Sequence, residues 1–311
     1  MSSPTPSLSI SATDWLLLIL LSVLWGGAFY FAKIAVLEIP TLTLVFGRVV
    51  IAAAVLLVLM QLMRTPLPRD RETWQILGVM AVFNNVLPFT LIVWAQINIS
   101  IGLASILNAT SPLFGVLVAH ALTSDDKLTG GRGAGLIAGF IGVVLLIGPD
   151  LVGELGAHVW AQIACLAAAC SYAFGAVYSR RLRGLPPMTV ATGQLTMSAA
   201  LLLPIVLIFD KPGVVMSVSS AALWALVALA VLSTAFAYLI YFRLIARAGA
   251  TNALLVTFLI PVSAILLGMV LLSETLATHQ IAGMVAIFVG LAAIDGRAGR
   301  VVAGLFRTAR P

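Results

Sequence analysis

The sequence predicts an all-α integral membrane protein with ten transmembrane helices, arranged as two inverted five-helix repeats. Three observations predict this fold class. The 311 residues are 61% hydrophobic and only 9% charged, whereas a soluble domain is about 45–50% apolar and about 25% charged. Apolar runs of about 20 residues, the length that crosses a bilayer, follow one another with short connections. Features of the first half return in the second half, and halves of five helices must be oppositely oriented because five is odd.

The ten helices are predicted from the length and hydrophobicity of these runs. Each run holds enough apolar residues to cross the hydrocarbon core, and polar or charged residues separate it from the next. The predicted spans are residues 14–37, 41–63, 72–95, 100–121, 131–149, 157–180, 188–209, 219–242, 250–272 and 278–295.

The distribution of Lys and Arg predicts the orientation. If the N-terminus is cytoplasmic, all but three of the 17 Lys and Arg residues lie on the cytoplasmic side. Lys33 and Lys211 lie on the opposite side, and Arg48 lies within the second span. Such a bias is the positive-inside signal. The sequence therefore predicts that both termini are cytoplasmic.

The internal repeat is visible in individual residues. The matching pairs are Gly47 with Gly193, Arg48 with Gln194, Pro112 with Pro261, Gly135 with Gly283 and Gly142 with Gly290. Each match is weak alone, but the spacing between partners is nearly the same throughout. We predict a first repeat at residues 1–150, a second, inverted repeat at 151–296, and a basic cytoplasmic tail at 297–311.

Prolines lie within several of the predicted spans, and three of them lie near polar residues. Pro112 lies in the string A-S-I-L-N-A-T-S-P-L-F at residues 104–114, Pro261 lies at the matching place in the second half, and Pro88 lies in the third span. A proline frees a backbone carbonyl, which lipid cannot satisfy. Two broken spans at matching positions are typical of a transporter's substrate site. We interpret the three prolines as hinges beside such a site; ordinary kinked helices are the alternative.

Polar and aromatic residues near these breaks are candidates for substrate binding. Amides and hydroxyls can hold amino and carboxylate groups, and aromatic faces can pack a side chain or a cation. The alternative for each polar residue is a hydrogen bond between two helices. The candidates are Trp25, Arg48, Asn84, Asn85, Asn108, Ser111, Tyr172, Tyr178, Ser233, Tyr238 and Thr257.

Arg48 is the only Lys or Arg deep within a predicted span. A charge there is costly and indicates a functional site by default. It can attract a substrate carboxylate, or it can extend to the interface or hold the carbonyls of a broken helix. Its mirror position, Gln194, is polar but neutral, which favours the structural alternative.

The charged residues also exclude several transporter classes. No Asp or Glu lies in the middle of any predicted span, whereas proton relays and cationic-drug sites usually depend on a buried carboxylate. A carrier of sugar phosphates or nucleotides needs several cations, and the spans contain one Arg. We therefore expect a neutral, zwitterionic or partly apolar metabolite and a facilitative carrier.

The sequence predicts no metal, no cofactor and no nucleic-acid partner. The three His residues have no Cys or carboxylate at ligand spacing, and a glycine-rich phosphate loop is absent.

Gly131, Gly135 and Gly139 form a ladder that permits close helix packing. We expect this packing within the bundle rather than at a dimer seam, and hence a monomer or a weak dimer.

Several strings together resemble the EamA family of the drug/metabolite transporter superfamily. They are L-W-G-G-A-F at 24–29, F-G-R at 46–48, the string at 104–114 and S-E-T-L at 273–276. The resemblance extends over residues 15–295. It implies two bundles around a central cavity, with the fifth and tenth helices peripheral. It also implies a metabolite exporter of the bacterial inner membrane, similar in length and plan to amino-acid exporters of the YddG kind.

The expected function is therefore a secondary transporter that exports neutral or aromatic amino acids, or similar small metabolites, by alternating access. A carrier of other metabolites, or of lipophilic or quaternary-ammonium compounds, is an alternative in the same fold. An intramembrane transferase is a further alternative, disfavoured because the sequence lacks paired catalytic carboxylates and a nucleophile–base constellation.

Overall fold

The computed structural model describes residues 11–124, 128–152, 156–182, 184–210, 213 and 217–295, and in these residues the chain forms helices and no strand. Within these ranges, ten apolar helical segments follow one another. Their bounds are α1 Ala12–Val36, α2 Thr41–Leu62, α3 Arg71–Ala95, α4 Ile101–Leu122, α5 Gly130–Val152, α6 Ala157–Leu182, α7 Pro187–Phe209, α8 Ser220–Ala248, α9 Val256–Leu272 and α10 Thr278–Asp295.

Eight of these segments, α1 to α8, are long and apolar enough to cross a membrane, and α9 and α10 are shorter apolar helices. The chain is therefore a multi-pass membrane protein. Most helix ends agree with the predicted spans to within a few residues. The eighth helix is longer than predicted and ends at Ala248, and the ninth begins at Val256 after the single turn Ala250–Ala253. The predicted tail at 297–311 lies outside the described residues.

Several helix starts are marked by residues that satisfy or remove free backbone amides. Asp70, Ser100 and Ser219 precede α3, α4 and α8, and each side chain accepts a hydrogen bond from the amide three residues further on. Prolines mark the starts of α2 and α7: Pro40 precedes α2, and Pro187 is the first residue of α7. Proline suits this position because the first amides of a helix have no intrahelical partner.

The helices pack in matching pairs. α1 packs against α8 and α9, as α6 packs against α3 and α4; α2 contacts both α7 and α8, as α7 contacts both α2 and α3. α5 contacts α10. This set of contacts is unchanged when the first five helices are exchanged with the last five.

Glycine permits a close contact between α1 and α9. A Cβ atom at Gly26 would lie 2.8 Å from the Ser263 Cβ and 2.9 Å from the Ala264 nitrogen. One turn earlier, the Ser22 and Ser263 hydroxyls lie 2.9 Å apart and form a hydrogen bond. The glycine in the L-W-G-G-A-F string therefore lets the first helix approach the ninth without a side chain between them.

Glycine also forms the contact between α5 and α10. A Cβ atom at Gly135 would lie 2.7 Å from the Gly290 carbonyl oxygen, and one at Gly142 would lie 2.7 Å from the Gly283 oxygen. These distances leave no room for a side chain. The expected packing of the glycine ladder within the chain is confirmed, except at Gly131, where a Cβ atom would meet no described atom within 4 Å.

The helical path is interrupted at four places. α3 contains the π-helical segment Val82–Val86, and α8 contains the π-helical segment Val231–Phe236. α4 turns at residues 109–110, and a turn at residues 254–255 precedes α9. A π segment inserts an extra residue into the helix and is frequent at functional sites. The two π segments occupy matching places in the third and eighth helices.

The three prolines have different relations to these interruptions. Pro88 closely follows a π segment, and Pro112 lies in the first turn of the second part of α4, where a missing N–H group costs least. Pro261 instead lies inside the continuous helix α9. The expected match between breaks at Pro112 and Pro261 is therefore not observed. The chain is interrupted earlier, at residues 254–255, where the amides of Leu255 and Thr257 donate to carbonyls three residues back.

We predict that Gly142→Ala destabilises the protein, because the new Cβ atom would meet the backbone of α10 at 2.6 Å. Overpacking of this kind costs about 1–3 kcal/mol. Thermal unfolding in detergent measures the effect. Gly115→Ala is the matched control, because Gly115 also lies in a helix but has open space around it, and Ala favours a helix over Gly. Equal melting temperatures for the two variants would contradict the proposed helix contact.

Candidate functional site: the central cavity

A cavity of about 420 Å³ lies between α1, α2, α3, α4, α6, α7, α8 and the first part of α9 with the segment that leads into it. Its aromatic lining consists of Trp25, Phe29, Phe89, Tyr172, Tyr238 and Tyr241. Its polar lining consists of Arg48, Asn84, Gln96, Asn108, Ser111, Gln194, Ser233, Thr234 and Thr257. Among the described residues, no Asp or Glu lines this cavity.

Most of the candidate residues lie together in this cavity. Nine of them line it: Trp25, Arg48, Asn84, Asn108, Ser111, Tyr172, Ser233, Tyr238 and Thr257. The three prolines do not line the cavity themselves. Each is adjacent in sequence to a residue that does: Phe89, Ser111 or Ile260.

Two candidates lie elsewhere. Asn85 is fully buried, and its side-chain nitrogen donates to the Ser198 hydroxyl at 3.0 Å. Its neighbour on the chain faces the cavity, and consecutive residues of a helix point in different directions. Tyr178 packs against a small cluster around Leu77, and the Arg181 guanidinium lies 4.7 Å from its ring centroid. Both therefore have contacts between helices rather than in the cavity.

Some lining residues carry little signal in the sequence. Phe89 is one apolar residue among many in α3, and only its position under Arg48 distinguishes it. Gln194 stands out in the sequence only as the mirror of Arg48, yet it lines the cavity and accepts a hydrogen bond from Asn84 at 3.3 Å. The proline at position 88 is the nearest available signal for Phe89, because it marks where α3 is irregular.

Arg48 is held in the cavity by two contacts. Its Nε donates to the Thr234 hydroxyl at 3.0 Å, and its guanidinium carbon lies 3.6 Å from the Phe89 ring centroid. Thr234 in turn donates to the Leu229 carbonyl, five residues back along α8. The charge therefore does not extend to the membrane interface, and a cation–π contact supports it.

Hydroxyl groups satisfy carbonyls beside the prolines. The Ser111 hydroxyl donates to the Asn108 carbonyl at 2.7 Å, which is the carbonyl that Pro112 cannot serve. The Ser171 hydroxyl of α6 donates to the Phe83 carbonyl at 2.8 Å, at the π segment that Pro88 follows. Each hydroxyl replaces a missing backbone donor, so the broken helices remain satisfied without lipid or water.

Glycine makes room for Asn84. A Cβ atom at Gly175 of α6 would lie only 1.9 Å from the Asn84 Oδ1. The absence of a side chain at Gly175 therefore lets the Asn84 amide lie between α6 and the cavity, where it reaches Gln194 of α7.

Three buried polar atoms of the lining have no hydrogen-bond partner in the described part of the chain. They are Asn108 Oδ1, Gln96 Oε1 and the Ser233 hydroxyl oxygen. An unsatisfied buried polar group is costly, and each requires an explanation such as water or a ligand. All three atoms are themselves buried, so a molecule in the cavity would contact them only after the side chains turn.

Aromatic rings form one wall of the cavity along α1 and α8. Trp25 and Tyr241 have ring centroids 5.2 Å apart, and Tyr238 stacks on Phe242 at 5.8 Å with an angle of 10° between the rings. Such contacts fix the orientation of the rings. The wall, which we call the Trp25 wall, offers flat apolar surface with hydroxyl groups at its edge.

At one end of the bundle, which we call the Glu38 end, carboxylates from one half of the chain cap helix starts in the other half. Glu38 accepts hydrogen bonds from the Ser219 amide and hydroxyl, both at 2.6 Å. Asp210 accepts from the amide and hydroxyl of Thr43, both at 2.8 Å. Glu274 accepts from the Ile101 amide at 3.0 Å. Each carboxylate follows the end of one helix and caps the start of a helix from the other half of the chain.

The cavity ends below these caps. Gln96 is fully buried, its side chain donates to the Phe29 carbonyl at 2.7 Å, and its backbone carbonyl accepts from Lys33. At the opposite end the lining includes Leu254, which is 55% exposed. An ion pair at that end joins Arg247 to Asp14 at 2.8 Å. The cavity lining therefore ends at a fully buried residue, Gln96, toward the Glu38 end and includes one exposed residue, Leu254, toward the other end.

The described part of the chain contains no group of three or more His, Cys, Asp or Glu that could hold a metal ion. The chemistry available in the cavity is that of one guanidinium, several amides and hydroxyls, and aromatic faces. This set can bind and orient a small molecule.

These features define a class of protein: a polytopic helical membrane protein with broken helices around a central cavity. The model of the EamA-like transporter family matches residues 14–148 and again residues 159–294. The chain belongs to this family.

Similar proteins agree with this assignment. The uncharacterized transporter YoaV of Bacillus subtilis is 23% identical over 280 residues, which cover 88% of this chain and 94% of YoaV. The uncharacterized inner membrane transporter YedA of Escherichia coli K12 is 27% identical over 264 residues, which cover 83% of this chain and 82% of YedA. A solved crystal structure is similar in fold, with a TM-score of 0.64 at 22% identity, and the match covers 93% of this chain and 99% of that one.

We predict that the Glu38 cap does not titrate in the physiological range. Hydrogen bonds from the Ser219 hydroxyl and amide hold the pKa of Glu38 below its ordinary value of 4.5. A lowered pKa stabilises the fold above the ordinary value, and this contribution is lost as the pH falls through the lowered pKa. The difference in melting temperature between the wild type and Glu38→Gln should therefore stay constant between about pH 6 and 8 and shrink in stronger acid. A difference that changes near neutral pH would contradict this geometry.

Proposed function

We propose that this protein is a secondary transporter of the bacterial inner membrane, which exports neutral or aromatic amino acids, or similar small metabolites, by alternating access. The observation that carries the proposal is the cavity between the helices, whose lining is fully buried at Gln96 toward the Glu38 end and includes the exposed Leu254 toward the other end. An alternating-access carrier needs a binding site that is closed on one side at a time. The relatives named as transporters support the same class.

We also propose that the chain forms two inverted five-helix repeats, at residues 1–150 and 151–296. The matching helix contacts support the repeat, as do the π segments at matching places in α3 and α8. The three carboxylate caps all join one half to the other. Alternating access would then break these caps while the two halves rock around the cavity.

The charge distribution of the sequence orients this bundle. With both termini cytoplasmic, the Glu38 end is periplasmic. The described arrangement is then open toward the cytoplasm, and an exported substrate would enter from that side. Opening toward the periplasm would require the caps at Ser219, Thr43 and Ile101 to separate.

The prolines suit a role as hinges. Pro88 and Pro112 lie where α3 and α4 are already irregular and where serine hydroxyls replace backbone donors. Such a segment can bend without losing an α-helical hydrogen bond. Pro261 would act differently, because it lies within α9 and leaves the Thr257 carbonyl, beside the cavity, without its usual helical donor.

The cavity favours one small substrate. Ligand sites usually measure about 300–1,000 Å³, and this cavity of about 420 Å³ lies in the lower part of that range. Aromatic walls suit an apolar or aromatic arm, and the amides suit polar ends. A quaternary-ammonium substrate is disfavoured, because the cavity contains the positive charge of Arg48 and no carboxylate among the described residues.

We predict facilitative transport. Proteoliposomes that contain the purified protein should take up labelled aromatic amino acids down their concentration gradient, with saturation. An imposed pH gradient should change the initial rate by less than about twofold, because no carboxylate of the described residues lies in the cavity to carry a proton. Liposomes without protein are the control. Concentrative uptake driven by a proton gradient would contradict the facilitative mechanism, and no uptake of any amino acid would contradict the substrate class.

We predict ten spans with both termini inside. Cysteines introduced into residues 150–156 and 211–218 should react with an impermeant thiol reagent from the periplasm, whereas cysteines at 64–71 and 181–186 should not, because the basic segments stay in the cytoplasm. Labelling after the cells are opened is the control for reactivity. The reverse pattern would overturn the orientation.

A further inference from the structure

Arg48 is a half-buried cation without an anionic partner in the described part of the protein. Its Nε is taken by Thr234, but its two terminal amino groups donate no hydrogen bond to any described residue, and the residue lines the cavity. A guanidinium has five donors and stays charged in proteins. The planar pair of terminal donors is therefore available to bind an acceptor from the cavity.

The arrangement around Arg48 points to one particular acceptor. The Phe89 ring covers one face of the guanidinium at 3.6 Å, and Thr234 fixes its Nε edge. What remains is the edge formed by the terminal amino groups. A carboxylate matches such an edge with two parallel hydrogen bonds, which are among the strongest in proteins.

The rest of the lining determines how many charges fit. The other polar groups of the cavity, among the residues described, are neutral amides and hydroxyls. One guanidinium can neutralise one negative charge, and a second charge would stay buried without a partner, which is strongly unfavourable. The cavity therefore suits a monoanionic group better than a dicarboxylate or a phosphate.

The lining also determines what the site requires of an amino group. No carboxylate of the described residues lines the cavity to pair with a substrate ammonium group. The unpartnered oxygens of Asn108 and Gln96 are themselves buried, and as neutral acceptors they would contribute much less to binding an ammonium group than an ion pair does. Binding in this cavity therefore does not require an amino group on the substrate.

From these observations we propose that the cavity recognises its substrate by a single carboxylate, bound to the terminal amino groups of Arg48, with an apolar or aromatic arm against the Trp25 wall, and that the substrate's amino group is dispensable. This inference rests on the proposed transport function and names the group by which its substrate is selected.

A matched series of four small molecules tests the inference. The purified full-length protein in detergent is titrated with phenylalanine, 3-phenylpropionate, phenylalanine amide and phenylethylamine, and binding is measured by calorimetry. The first two have a carboxylate, and the last two have an amino group but no carboxylate. Phenylalanine and 3-phenylpropionate should bind with dissociation constants within about tenfold of each other, and the two amines should bind at least about tenfold more weakly than either.

Variants of Arg48 separate charge from geometry. Arg48→Gln should weaken binding of both carboxylates by about tenfold or more. Arg48→Lys should have an affinity between those of Arg48→Gln and the wild type, because an ammonium group retains the charge but not the planar pair of donors. Arg243→Gln is the matched control, because it removes the same charge from an exposed position of α8. Thermal unfolding of each variant shows whether the fold is intact.

Several results would overturn the inference. Equal binding of the amines and the carboxylates would do so, as would carboxylate binding that survives Arg48→Gln in a folded variant, or no binding of either carboxylate. The result is separable from the proposed function. Transport of aromatic amino acids and their amides at equal rates would refute carboxylate recognition but leave export intact, whereas carboxylate binding without any flux would refute export but leave the site intact.

Discussion

The need to satisfy every backbone carbonyl away from water governs this structure. A helix meets it automatically, so each interruption of a helix within the membrane requires a substitute donor. Here the substitutes are hydroxyl groups: Ser111 for the Asn108 carbonyl, Ser171 for Phe83 and Thr234 for Leu229. The interruptions of α3, α4 and α8 consequently lie around one cavity, where nearby hydroxyl groups supply these donors.

The same constraint determines where the charge lies. Thr234 can accept from Arg48 because its own proton is used on a carbonyl beside the π segment. The break in α8 therefore orients the hydroxyl that fixes the guanidinium of α2, and Phe89 beside Pro88 supports it from α3. The two alternatives for Arg48, substrate attraction and a structural network, are thus compatible, because the network uses one edge of the guanidinium and leaves the other edge to the cavity.

The fold was predictable because membrane thickness sets the length of each apolar run, and the placement of nine candidate residues followed from their polarity within such runs. The directions of the other candidate side chains and the exact positions of the helix breaks depend on three-dimensional geometry, which no local sequence pattern reveals. Consecutive residues of a helix point in different directions, so Asn84 lines the cavity while Asn85 donates to Ser198. Pro261 has a sequence context similar to that of Pro112, but the turn before it, at residues 254–255, lies further from the proline than the turn at residues 109–110 lies from Pro112.

The polar contacts between the two halves of the chain suit reversible opening. At the Glu38 end, the halves are joined by carboxylates that cap helix starts. When such a cap separates, water forms hydrogen bonds to both the free carboxylate and the free amides. The net free-energy cost of breaking the cap is therefore far below the energy of the hydrogen bonds themselves. An apolar seal offers no such replacement. A carrier that exposes its cavity to either side in turn, as we propose, would therefore benefit from polar caps, whereas the glycine packing of α5 on α10 is a contact of backbone against backbone with no such exchange for water.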